Sequence, residues 1–116
     1  MFDLTGMTAL VTGAAGGIGS SISRALARQG ARLALSGSNS SKLRAFRDEL
    51  NEEFGHDHVE ITCDLSNTTQ VEELVPAALD TFGKLDIVVN NAGITRDNLA
   101  MRMKDEEWEQ VIRINL

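Results

Sequence analysis

Thr12-Gly13-Ala14-Ala15-Gly16-Gly17-Ile18-Gly19 is the stretch on which the fold turns. Before it, Thr8-Ala9-Leu10-Val11-Thr12 is a short run rich in strand formers. After it, Ile18, Ile22, Ala25 and Leu26 recur at the i, i+4, i+7 and i+8 spacing of a helix face. A strand therefore feeds a helix through a glycine-rich turn. In such a turn Gly13 takes dihedrals closed to other residues, Gly17 lets a ligand come close to the backbone, and Gly19 lets the helix lie near the sheet. The first amides of the helix lack partners within it and face outward at the positive end of its dipole, which suits a diphosphate. The expected ligand is a dinucleotide, contacted by Gly13, Ala14, Ala15, Gly16, Gly17, Ile18 and Gly19. The plainer alternative is a tight turn that binds nothing.

Outward from this turn, apolar runs and helical patterns alternate without repeat or low-complexity tract. Gly30 stops the first helix and Arg32 to Ser36 reads as a second strand. Leu43, Phe46, Leu50 and Phe54 mark a second helix ended by Gly55. Val59, Ile61 and Cys63 alternate with polar residues in a third strand. Thr69 and Glu72 suggest a capping box for a third helix carrying Val71, Leu74, Val75, Ala78 and Phe82. Pro76 lies within that helix and predicts a solvent-side kink. Leu85 to Val89 is a fourth strand, followed by Asn90-Asn91-Ala92-Gly93, a polar loop, and a fourth helix opened by Asp105. The apolar face of that helix would carry Trp108, Val111, Ile112 and Leu116. This order of elements specifies an α/β chain, the N-terminal half of a Rossmann-type doubly wound parallel sheet, with strand order 3-2-1-4 and helices on both faces. A strand four without a further neighbour would present an apolar edge, so the chain is expected to aggregate or recruit a partner.

Composition narrows the function. The 116 residues suffice for one compact domain, and a formal net charge of −6 with scattered cations argues against nucleic acid and anionic membranes as partners. One cysteine forbids an intramolecular disulfide and fits a reducing compartment, with the cytoplasm as the expected location. Met1-Phe2-Asp3-Leu4-Thr5-Gly6 places an acid where a secretory leader would place lysines.

The end of the second strand bears on which dinucleotide is bound. A site for an unphosphorylated ribose puts an Asp or Glu about twenty residues beyond the glycines. Here the residues are Ser36-Gly37-Ser38-Asn39, with no carboxylate, which favours NADP(H) over NAD(H). No arginine lies in this turn; Lys42 and Arg44 are the nearest cations in sequence. Asp64-Leu65 and Asn90-Asn91-Ala92-Gly93 end the third and fourth strands, so both face the crevice into which the glycine turn opens.

Thr12-Gly13-x-x-x-Gly17-x-Gly19 followed by Asn90-Asn91-Ala92-Gly93 resembles the short-chain dehydrogenase/reductase family. Within it, the stretch from Gly93 to Trp108 is similar to the bacterial reductases that act on 3-oxoacyl groups bound to acyl carrier protein in fatty acid synthesis. The resemblance covers essentially the whole chain. It implies that residues 1–116 are the NADP(H)-binding half of such an enzyme, with acyl carrier protein as partner and a homo-oligomeric, in that family tetrameric, assembly. By resemblance, Asp64 would accept from the adenine amino group and Leu65 would supply a backbone contact. Asn91, Ala92 and Gly93 would line the ribose region, Ser38 would lie near the ribose phosphate, and Asn90 would brace the central strands. Asn115, placed along the buried stripe of the fourth helix, would hold a water in the family's proton relay and is the one catalytic candidate; its blander reading is an amide satisfied by backbone. Gly16 departs from the pattern, since such NADPH-dependent reductases often carry arginine there. The family's catalytic serine and Tyr-x-x-x-Lys pair would lie beyond residue 116, and the chain has no tyrosine, so it is expected to be inactive alone. Two alternatives are a non-catalytic NADP(H)-binding module and a family member acting on another carbonyl substrate.

Four other features read more plainly. His56-Asp57-His58 has no convergent further ligands, so a solvated loop is expected and no metal site. Cys63 continues the Val59 and Ile61 face and fits a core position better than a nucleophile. Met101 and Met103 suit packing under an acyl chain and packing against the fourth helix equally well. Arg96, Arg102 and Lys104 have the charge to meet an acidic carrier but equally read as a solvated loop.

Overall fold

The computed structural model describes residues 3–116; Met1 and Phe2, which open the stretch compared with a secretory leader, lie outside the described residues. The elements are β1 (Thr8–Thr12), α1 (Gly17–Arg28), β2 (Arg32–Gly37), α2 (Ser40–Phe54), β3 (Val59–Thr62), α3 (Thr68–Glu72), α4 (Leu74–Phe82), β4 (Ile87–Asn90), α5 (Arg96–Ala100), α6 (Asp105–Glu109) and β5 (Ile112–Asn115). All strands are parallel, in the order β3-β2-β1-β4-β5.

Strands β1, β2 and β4 are buried on both faces, so they read as unbroken apolar runs. Alternate residues go to opposite sides of the sheet. Ala9, Val11, Leu33, Leu35, Ile87 and Val89 meet Leu43, Phe46 and Leu50 of α2 and Ala27 of α1. Leu10, Ala34 and Val88 meet Val71, Leu74, Val75, Ala78, Leu99 and Trp108 from α3 to α6. The expected doubly wound sheet with helices on both faces is present, and its strand order reverses beside β1, where the glycine turn stands.

Four local expectations change. The helix foreseen through Leu116 stops at Glu109, and Ile112–Asn115 instead joins the sheet as β5. Ile112-Arg113-Ile114-Asn115 alternates β-branched and polar residues, and pairing it with β4 satisfies that strand's outer backbone groups. The Ile112 amide donates to the Asp86 carbonyl at 2.8 Å and the Leu116 amide to the Asn90 carbonyl at 3.2 Å. Trp108 and Val111 are buried as foreseen, but Ile112, Ile114 and Leu116 are exposed, so the bare apolar edge foreseen on β4 belongs to β5. Asn67, not Thr69, caps α3: its Oδ1 accepts the Gln70 amide at 3.1 Å. Pro76 does not kink a continuous helix. The chain breaks at Glu73 and Pro76 occupies the first turn of α4, where a missing amide costs nothing, and it is half-buried there. Finally, the polar loop contains α5, capped by Thr95 Oγ1 on the Asn98 amide at 3.3 Å.

The His56-Asp57-His58 segment also departs from expectation. His58 is buried, 2 % exposed, and not part of a solvated loop. Its Nδ1 accepts the Leu33 amide at 3.0 Å, while Asn51 accepts from its amide and donates to its carbonyl. Gly55, His56 and Asp57 all have positive φ, the turn that carries the chain from α2 into β3.

Candidate functional site

The chain leaves β1 at Thr12 and turns at Gly13, whose φ of +63° lies in the left-handed region. Ala14 is wholly buried and its amide donates to the Ser36 carbonyl at 3.0 Å, tying the turn to β2; its side chain faces the core. The Gly16 amide donates back to the Gly13 carbonyl at 3.2 Å, and Gly16 becomes the N-cap of α1. No side chain caps this helix. Gly17, Ile18 and Gly19 are its first three residues, and their amides point out of its N-terminus with no intrahelical acceptor.

The glycines divide by function. A Cβ on Gly19 would collide with the Gly13 carbonyl and stand 3.0 Å from Asn91 Nδ2, so only glycine fits there. A Cβ on Gly17 would meet nothing within 4 Å. Helix-to-turn contact therefore requires Gly19, while the space beside Gly17 is open. Ile18, read as the start of the apolar helix face, is 65 % exposed and borders that open space.

Asn91 joins the end of β4 to this turn: its Nδ2 donates to the Gly13 carbonyl at 3.3 Å. The buried Thr12 hydroxyl accepts the amides of Asn91 at 3.1 Å and Ala92 at 3.3 Å. Asn90 Nδ2 donates to the Ile94 carbonyl, its Oδ1 accepts the Ile94 amide at 3.2 Å, and it lies 3.3 Å from the Thr12 hydroxyl. This buried amide holds the tight loop in which Gly93 takes φ +73°. Thr12 read as the end of a strand and the first residue of the glycine motif; its hydroxyl is the missed link between that motif and the Asn90-Asn91-Ala92-Gly93 corner.

On the other side of the turn an open groove of about 260 Å³ runs between the glycine loop and the start of α2. Gly13, Ala15 and Gly16 form one wall, Ser38, Asn39 and Lys42 the other, and Leu65 reaches in from the end of β3. Among the described residues no carboxylate lines it. Asn39, Lys42 and Leu43 were not foreseen as site residues; the signal was Asn39 as N-cap, which puts the third residue of α2 beside the turn.

Asp64 is exposed at the end of β3. Its Oδ1 accepts the Ser66 hydroxyl at 2.6 Å and the Ser66 amide at 3.0 Å, and these bonds hold the carboxyl below its usual range. Ionised, it keeps Oδ2 available as an acceptor. Asn115 stands apart from the groove: it faces Asn90 across the β4–β5 pair, with Asn90 Nδ2 donating to its Oδ1 at 3.4 Å, and it is exposed rather than on a buried helical stripe. Cys63 is buried in the core, and burial followed by the neighbouring Asp64 charge raises its thiol pKa. Met103 packs on that core while Met101 is exposed, and Arg102 pairs with Glu73 at 2.9 Å.

The family model for short chain dehydrogenases matches residues 7–116. The chain belongs to this family. It is 48% identical over all 116 residues to the 3-oxoacyl-[acyl-carrier-protein] reductase FabG of Rickettsia bellii, covering 45% of that protein. The chain thus spans about half the length of the curated relatives it matches. Among solved structures it is similar to a short-chain dehydrogenase/reductase of Burkholderia phymatum in complex with NAD (35% identity, TM-score 0.72, 81% of this chain and 33% of that one). It is equally similar to the Pseudomonas aeruginosa RhlG/NADP active-site complex (34% identity, TM-score 0.72, 83% of this chain and 38% of that one). One of these two similar structures is thus a complex with NAD and the other with NADP. The residues present here fit such a coenzyme: the outward-facing amides at the N-terminus of α1 border open space at Gly17.

Proposed function

We propose that residues 1–116 are the coenzyme-binding half of an oxidoreductase that reduces 3-oxoacyl groups on acyl carrier protein to 3-hydroxyacyl groups with NADPH. The observation that carries the coenzyme reading is the open N-terminus of α1 beside Gly17, framed by the Gly13–Gly19–Asn91 contact. The substrate reading rests on identity to the Rickettsia bellii enzyme along the whole chain. The preference for the phosphorylated coenzyme rests on a groove with Ser38 and without a carboxylate, which would repel a 2′-phosphate.

In this reading the amides of Gly17, Ile18 and Gly19 hold the diphosphate, with Ala14, Ala15 and Gly16 shaping its approach. Asp64, kept ionised by Ser66, accepts from the adenine amino group, and Leu65, which lines the groove, supplies a backbone contact. Asn91, Ala92 and Gly93 line the ribose region from the end of β4. The bound coenzyme supplies a hydride for the 3-keto carbon. Asn115 keeps its proposed role of holding a water for proton delivery, now from the end of β5. With no tyrosine in these residues, the proton donor of the family's Tyr-x-x-x-Lys pair belongs to another part of the whole protein. The whole protein is accordingly proposed as a cytoplasmic homo-oligomer with acyl carrier protein as partner. No helix among the described residues is long and apolar enough to cross a membrane.

Titration calorimetry of the protein with NADPH and NADH tests the coenzyme reading: heat with NADPH is expected, and silence with both overturns it. Turnover is tested by following NADPH absorbance with an acetoacetyl thioester. The 116-residue chain is expected to show none, and the protein carrying the family's tyrosine and lysine is expected to oxidise NADPH.

A further inference from the structure

Sequence alone left two cations, Lys42 and Arg44, near the end of β2, and the structure separates them. Arg44 lies 3.6 Å from Glu60, and Arg47, one turn on, lies 3.3 Å from the same carboxylate and 2.8 Å from Asp48. Both guanidiniums are paired with carboxylates on the β3 side of α2. Lys42 has no ion-pair partner among the described residues and lines the groove opposite Gly16. It is the one cation among the described residues that does so.

Its position is set by the backbone. Asn39 Oδ1 accepts the Lys42 amide at 3.1 Å, which fixes the third residue of α2 at the groove wall. The flexible four-carbon stem gives its ammonium reach over the groove, where Ser38 adds a hydroxyl and the opening turn of the fifteen-residue α2 adds its positive end. Across from it, Gly16 contributes no charge, and a Cβ there would meet only the Gly13 carbonyl, at 3.4 Å.

We propose that Lys42 is the residue of this chain that selects a 2′-phosphorylated adenosine ribose, its ammonium and the Ser38 hydroxyl together binding the phosphate dianion. The inference rests on the NADP(H) reading above and names the side chain that carries it. Lys42 is exposed and has no ion-pair partner among the described residues, so its effect is expected to fall on coenzyme choice and not on the fold.

The test uses two nucleotides that differ only in that phosphate, adenosine 2′,5′-bisphosphate and 5′-AMP, titrated into the protein by calorimetry. Lys42→Gln is expected to weaken the bisphosphate about tenfold, the scale of one charge-assisted contact, and to leave 5′-AMP unchanged. Lys42→Arg is expected to retain most of the preference, and Arg44→Gln to leave both affinities within about twofold. Added salt should erode the bisphosphate's advantage in the unmodified protein and do so less in Lys42→Gln. A wild-type preference for the bisphosphate that survives Lys42→Gln overturns the role of Lys42 and leaves the NADP(H) reading standing. A wild type that binds both nucleotides equally overturns the NADP(H) reading and the inference with it.

Discussion

The two ends of the same parallel strands are built from similar polar parts to opposite effect. At the N-terminal end, Asp86 accepts the Thr8 amide at 2.9 Å and Lys84 at 2.8 Å, and Thr8 Oγ1 donates to the Lys84 carbonyl. Burial alone would raise the Asp86 carboxyl; the bonds from Lys84 and Thr8 outweigh it and hold the group below its usual range. Asn51 and His58 likewise close the turn into β3. At the C-terminal end, Thr12, Asn90 and Asn91 tie the loops together just as tightly. Beyond them, however, they leave the first amides of α1, one oxygen of Asp64 and the groove beside Lys42 facing solvent. Polar side chains thus brace both ends, and the proposed binding end is the one whose bracing leaves donors over.

The sharpest way to break this contrast is Gly19→Val. Its side chain must displace the Gly13 carbonyl, so we expect a loss of about 3 kcal/mol in urea unfolding, together with loss of nucleotide binding. Gly17→Ala, placed in open space, should keep or slightly raise the melting temperature while weakening NADPH. Equal behaviour of the two variants would refute the division of labour between these glycines.

The next effect belongs to the opposite end. Burial, then the nearby His56 and Arg32 charges, lowers the His58 pKa to about 4 from an ordinary 6.5. The unfolded chain therefore takes up the proton first. Stability is full above pH 6.5, declines as pH falls toward 4, and by pH 4.5 is expected to be lower by about 2 to 3 kcal/mol. His58→Leu should flatten that profile in urea titrations between pH 7 and 4.5, whereas an unchanged slope would mean that another group governs acid sensitivity.

Asn90→Ala and Asn51→Ala remove matching braces from the two ends, and each is expected to cost about 2 kcal/mol by leaving backbone groups unpaired. Only Asn90→Ala should weaken NADPH binding in calorimetry; a matching loss in Asn51→Ala would blur the boundary between the ends. The smallest effect is Lys84→Ala, whose exposed ion pair with Asp86 should contribute less than about 1 kcal/mol in the same unfolding assay.

Most of the fold was legible because its signals are local. The apolar runs of β1, β2 and β4 and the stops at Gly30 and Gly55 read directly, both glycines having positive φ at the end of their helices. The last segment was misread because Trp108 and Val111, at helical spacing, adjoin Ile112-Arg113-Ile114-Asn115, at strand spacing. Which period wins there depends on the bonds that β4 offers, and these do not figure in a one-dimensional pattern. His58 was misread for a related reason: His56 and Asp57 before it read as a polar turn, yet Asn51 and Leu33, seven and twenty-five positions away, supply the partners that make its burial possible.

In the candidate site, residue order was enough to mark the glycine turn, the missing carboxylate after β2 and the Asn90-Asn91-Ala92-Gly93 corner. Each is a question of backbone freedom or of side-chain identity at a strand end. The reason Gly19 admits no other residue, the bridge from Thr12 to Asn91, and the separation of Lys42 from Arg44, which faces Glu60, came only with three dimensions. Each of these depends on atoms distant in the chain meeting within a few ångströms. Steric fit and charge pairing act across that space, and local periodicity does not encode it.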